Sequence, residues 1–356
     1  MSVANPAVVA VPGVAETRRG WIESPLFDLA LFTLSPFVGL MVAVAGLAHP
    51  AGVYVGIAAS FILGVPHYLS TFTFYLGDEN RAHYFAQPIA FIAAPALIFA
   101  AVLGLRAVHL EKPVLIAMFT WNIWHVALQS AGILAIYRRL HGGPDAEKTV
   151  AKVALFSTGA TMALWHPTTF PPLFDAIEWI HGGSYRILTL AFLAVAIISV
   201  TTLFARIARR ERSMSFAEVA FLVSSVLLFH PYLWIRDGNQ ATLAMLCGHF
   251  IQYLGIVWLL NARKYAASQG SSAERALGAV SRRPLFVYVV IVGTGVIVWM
   301  MSRVAAAAGV PMAFLVGLNS LALIHFYLDG RVWAFRDPFV RRTIGAVLVP
   351  ETRRVA

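Results

Sequence analysis

The chain has 356 residues, 59% of them hydrophobic and 12% charged, with a mean hydropathy of +0.74. That charged fraction is about half of what a soluble domain carries, which excludes an ordinary soluble fold and points to a polytopic membrane protein. The formal charge of +10 lies between apolar runs, which argues against a nucleic-acid partner, and the single cysteine, Cys247, excludes an internal disulfide and a cysteine-held iron–sulfur or zinc cluster.

Residues 1–25 are rich in Ala, Val and Pro and lack the basic start of a signal peptide, so they read as a short cytoplasmic tail. Residues 26–336 read as a transmembrane helical bundle and residues 337–356 as a basic C-terminal tail. Within the bundle, apolar runs follow at about 27–48, 51–76, 87–105, 113–137, 152–174, 185–205, 216–235, 241–262, 284–306 and 311–334. Each is close to the length that a helix needs to span a bilayer. The expected fold is therefore all-α, with about ten transmembrane helices. Pro50, Pro88, Pro113, Pro284 and Pro311 mark several helix starts, where proline costs no hydrogen bond. The longest polar stretch, Arg263 to Arg283, is too short to bury a core of its own.

Charge sets the expected orientation. With ten spans and an inside N-terminus, 22 of the 27 Lys and Arg residues fall on one side and five (Arg106, Lys112, Arg186, Arg236 and Arg303) on the other. The positive-inside rule then predicts both termini in the cytoplasm, with the protein in an inner membrane of bacterial type.

Six histidines lie inside the apolar runs: His67, His125, His166, His230, His249 and His325. Ionisable groups in hydrocarbon are expensive, and they mark functional sites by default. At 1.5 Å rise per residue the six fall roughly 10–20 Å from the inner surface, as a layer on six different helices. Four have a polar companion three or four residues on, on the same helix face: His67 with Thr71, His125 with Gln129, His249 with Gln252 and His325 with Asp329. Thr71, Gln129 and Gln252 are expected to support ligands, because a ligating imidazole hands its second ring nitrogen to a neighbouring acceptor. Asp329 can do the same or bind metal itself. His166 and His230 each precede a proline, so their place in the layer depends on whether the helix continues past it. On the inner side, Glu79 and His83 belong to the Asp78–His83 cluster and could complete a site. The surrounding aromatic residues, Tyr253 and Trp333 among them, read as packing or an interfacial belt, or as the wall of an apolar pocket beside the metal.

Imidazole suits Zn, Cu, Fe and Ni alike. In an apolar bundle the expected chemistry is oxidation of a lipid, hydrocarbon or isoprenoid, with the metal carrying the difficult step. Non-haem iron, mono- or dinuclear, is the leading metal, and haem held between His125 and His249 is the second choice. The close pairs H-x3-H and H-x2-H-H of membrane di-iron desaturases and hydroxylases are absent. The expected activity is an oxygenase, desaturase or hydroxylase, with Asp329 and Glu79 as candidate catalytic acids and an external protein as electron donor. The alternative is a transporter or a metal- or haem-handling protein that uses the same histidines.

Overall fold

The computed structural model describes residues 20–48, 52–141, 147–170, 183–209 and 214–349. The expected tail up to residue 19, Pro50, and residues 350–356 lie outside the described residues. All regular structure among the described residues is helical. Among the described residues six helices are long and apolar enough to cross a membrane: Ile89–Ala107, Glu111–Leu140, Ser184–Ala208, Phe216–Trp234, Gly238–Tyr265 and Pro284–Ala307. The pair Pro25–Thr33 and Ser35–Gly46, bent by 45°, makes a seventh if it counts as one span. Helices also occupy the other apolar runs, at Gly52–Ala59, Val65–Ser70, Glu147–Trp165 and Pro311–Val332.

Local sequence explains the helix starts. Ser24, Ser215, Asp237 and Ser271 each accept a backbone N–H from the first turn, and Pro25, Pro231, Pro284 and Pro311 sit at first helical positions. Internal prolines leave a different mark. Pro36, Pro66 and Pro95 each follow a π turn, at Leu29–Thr33, Ser60–Gly64 and Ile89–Ala93 respectively. The carbonyl four residues before each proline, at Phe32, Ile62 and Phe91, belongs to that wider turn, which relieves the clash with the proline ring. The carbonyl of Phe32 is satisfied by the hydroxyls of Ser35 and Ser224 and by the amide of Gln252, at 3.2, 2.9 and 2.8 Å.

Gly238–Tyr265 is the central helix. Of its most apolar window 72% is buried, against 6% for Pro284–Ala307, which leaves the latter on the lipid-facing rim. The central helix packs closely on Ser35–Ala48 through Gly39, where a Cβ would stand 1.9 Å from the carbonyl oxygen of Ala244. Such backbone proximity through a small residue is how membrane helices gain packing energy.

Charged segments gather at one end of the bundle. There Arg138 is buried between Glu218 at 3.2 Å and Glu147 at 3.7 Å. Arg263 binds Glu23 at 2.6 Å, the carbonyl of Ile22, and the carbonyls of Val347 and Leu348. Lys264 donates to Asn80, and the Asp78 carboxylate accepts the backbone N–H of Ser271. Residues Phe339, Val340, Ile344 and Leu348 are buried in the same core cluster as Ile22, so the chain after residue 337 docks on the bundle up to Val349.

A four-histidine centre inside the bundle

Four helical segments each deliver one histidine to a common point. His67 comes from Val65–Ser70, His125 from Glu111–Leu140, His249 from Gly238–Tyr265 and His325 from Pro311–Val332. All four are buried, three of them completely. The ring of His67 lies 4.4 Å from that of His325 and 4.8 Å from that of His249, centroid to centroid. The ring of His125 lies 4.9 Å from both His249 and His325. Tyr68, Phe250 and Phe326 pack against the cluster.

Potential ligand atoms fall into two groups that share His125. One atom each from His67, His125 and His249 lie within 4.8 Å of one another, and so do atoms from His125, His325 and Asp329. Nε2 of His125 and Nε2 of His325 are 3.2 Å apart. Two ligands bound at about 2.1 Å to one metal ion adopt a separation of this size. Neither ring nitrogen of His67 nor of His249 has a hydrogen-bond partner. A buried polar atom left in that state costs about 1–3 kcal/mol, so an ion or another polar ligand that takes one nitrogen from each of His67 and His249 would account for part of that cost.

A second layer orients the first. Thr71 Oγ1 lies 2.7 Å from Nδ1 of His325, 2.7 Å from the hydroxyl of Tyr253 and 2.9 Å from Oδ1 of Asp329. Tyr253 donates to the same Oδ1 at 2.5 Å and accepts from Nε1 of Trp333 at 3.4 Å. With Asp329 as a carboxylate, Thr71 and Tyr253 each spend their only hydrogen on it. Thr71 can then only accept from His325, which places the imidazole hydrogen on Nδ1 and leaves Nε2 with its lone pair toward His125. Oδ2 of Asp329 meanwhile faces the histidines, 3.9 Å from Nε2 of His125 and 3.8 Å from Nε2 of His325.

The expected companions are redistributed. Thr71 serves His325 rather than His67. Gln252 holds the carbonyl of Phe32 and not His249. Gln129 has no hydrogen-bond partner for either amide atom and lines a cavity beside the centre. The sequence reads Tyr253 as packing or as the wall of a pocket beside the metal, whereas its hydroxyl is a hub of the centre. Its position four residues after His249, on the same helix face, is the signal that could have marked it.

The remaining candidates lie elsewhere. The helix Glu147–Trp165 stops just before His166-Pro167, and Nε2 of His166 bonds the carbonyl of Ile235 at 2.6 Å while Nδ1 meets Thr169 at 2.8 Å. His230 follows the end of Phe216–Leu227, bonds the carbonyl of Leu227 and stacks on Trp234. His83 stacks on Phe339 at 3.7 Å, and Glu79 pairs with Arg342 at the charged end. The helix stops before His166, and a turn at Leu228–His230 interrupts the span Phe216–Trp234, so the six-histidine layer reduces to four.

A cavity of about 540 Å³ runs from His125, Asp329 and Tyr253 along the His125 helix toward the charged end. Trp121, Trp124, Ile133 and Ile136 form its apolar wall, and Lys148, Lys152, Arg331 and Arg336 also line it. No protein-family model, curated protein or solved structure matches the chain, so what the centre does rests on its own geometry.

Proposed function

We propose that this protein is an integral-membrane non-haem iron oxidoreductase, an oxygenase, desaturase or hydroxylase, that acts on a lipophilic substrate. In this reading ten helices span a bacterial inner membrane with both termini in the cytoplasm. His67, His125, His249 and His325 hold the metal with Asp329. The observation that carries the reading is the convergence of four buried imidazoles from four helices, with both nitrogens of His67 and His249 unpartnered among the described residues.

The donor set favours iron. His125, His325 and Asp329 supply two imidazoles and one carboxylate, the set that holds non-haem iron while leaving coordination positions open. Four rings packed this closely leave no space for a haem macrocycle between His125 and His249, which argues against the second choice. Bound iron, one or two ions, would supply one-electron chemistry with dioxygen, with electrons from an external donor protein. The chain's own residues do the rest. Thr71 fixes the tautomer of His325, Tyr253 and Thr71 hold one oxygen of Asp329 so that the other faces the site, and Phe250 and Phe326 pack against the rings. The cavity beside His125 and Asp329 receives the substrate.

Metal analysis and an optical spectrum of the purified protein test this. Stoichiometric iron without a Soret band is the expected result. A strong Soret band would replace the reading with haem, and absence of any tightly bound metal would favour a transporter or a metal-handling carrier instead.

A further inference from the structure

We infer that the cavity beside the centre binds a single-chain amphiphile with a phosphate head, the head at Lys148, Lys152, Arg331 and Arg336 and the chain against the apolar wall. The cavity has two chemically distinct parts. Trp121, Trp124, Ile133 and Ile136 give one part a mainly apolar wall, with Gln129 as the uncharged polar side chain among them. Four cations line the rest, and among the described residues Asp329 is the one acidic group of the lining. Lys148 and Lys152 are four residues apart near the start of Glu147–Trp165 and share a helix face. Arg331 and Arg336 are exposed and approach from the chain after His325. Four basic side chains at one end of a cavity suit a head with more than one negative charge, and phosphate accepts from several Lys and Arg donors at once.

Dimensions agree with such a ligand. His125 and Ile136 are eleven residues apart on one helix, roughly 17 Å, and His325 is seven residues from the end of its helix, roughly 10 Å. The centre therefore lies about 10–17 Å below the cations, comparable to the ~15 Å depth of one leaflet's hydrocarbon. An amphiphile standing in that leaflet with its head at the cations puts a carbon well down its chain beside His125 and Asp329. This names the substrate class of the proposed oxidoreductase and rests on that reading for the chemistry at the chain, but not for capture of the head.

Binding of tritiated hexadecyl phosphate to the full chain in zwitterionic nanodiscs tests the inference, with and without prior chelation of metal. Saturable binding is expected in both states, weaker by about tenfold or more in Lys148→Ala/Lys152→Ala, in line with lost charge-assisted contacts. Lys152→Gln, which keeps the size of the side chain, is expected to weaken binding in the same direction. Hexadecanol should bind at least about tenfold less tightly than the phosphate and ignore these substitutions. Equal affinity for hexadecanol, or variants that bind like the wild type, overturns the inference. Palmitate binding as tightly as hexadecyl phosphate overturns the assignment of a phosphate head. Failure of the iron reading shows instead as missing metal with phosphate binding intact.

Discussion

Thr71 Oγ1 lies 2.7 Å from Nδ1 of His325, 254 residues away in the chain, although its nearest histidine in sequence is His67. Through this contact a side chain from one helix fixes the ring of a ligand on another. Its loss should therefore be felt at the metal. Thr71→Val is expected to lower metal affinity by about 10–100-fold, the usual cost of removing a partner behind a ligating histidine. Thr71→Ser, which keeps the hydroxyl, should restore it. Competition with a calibrated chelator measures both.

The four converging histidines should behave as a set. His67→Ala, His125→Ala, His249→Ala and His325→Ala are each expected to lose most of the bound metal in elemental analysis. His166→Ala and His230→Ala should keep it. His166→Ala should instead lower thermal stability, by about 1–3 kcal/mol, because it leaves the buried carbonyl of Ile235 without its donor. Equal metal loss across all six would mean that the two outlying histidines also reach the centre.

Gln252 separates a structural role from a role at the metal. Its amide donates to the carbonyl of Phe32, which lies four residues before Pro36. Gln252→Leu should cost about 1 kcal/mol in a thermal melt, since Ser35 and Ser224 still serve that carbonyl. Metal content should not change. Metal loss at retained stability would place Gln252 behind His249 after all.

Asp78 predicts a dependence on pH at the charged end. Hydrogen bonds from Ser271 hold its carboxyl below the usual carboxylate range. A depressed value in the folded state means that the carboxylate stabilises the fold above its ordinary range, and that this is lost as pH falls through the depressed value. Asp78→Asn should accordingly lower the melting temperature slightly at neutral pH. The gap from the wild type should close on acidification, as melts at a series of pH values would show.

Much of the fold was legible because apolar runs and prolines act locally. Each of the ten apolar runs contains helix, and the helix is interrupted next to Pro167 and Pro231 as proline chemistry allows. The four central histidines were also legible, since an imidazole in hydrocarbon stands out whatever surrounds it. Their partners were not. A spacing of four residues says that Thr71 and His67 share a face, but it says nothing about which neighbouring helix that face meets. The rotation of each helix about its axis is set by packing, such as that of Gly39 on Ala244, and by the π turns before Pro36, Pro66 and Pro95. Tyr253 shows the same limit from the other side: its ring packs as expected, and only the approach of Asp329 and Thr71 gives its hydroxyl a purpose.

One donor helix lies early in the chain and another near its far end, with His325 258 positions after His67. A centre built this way cannot close during synthesis until the helix Pro311–Val332 has entered the membrane beside the other three. In the proposed reading, metal loading is then a late event that follows assembly of all four helices. An ion that binds only the closed arrangement also holds that arrangement together, in proportion to how far its concentration exceeds its dissociation constant. Cells short of the metal should thus accumulate a chain that is inserted but loosely packed, and that membrane proteases would remove.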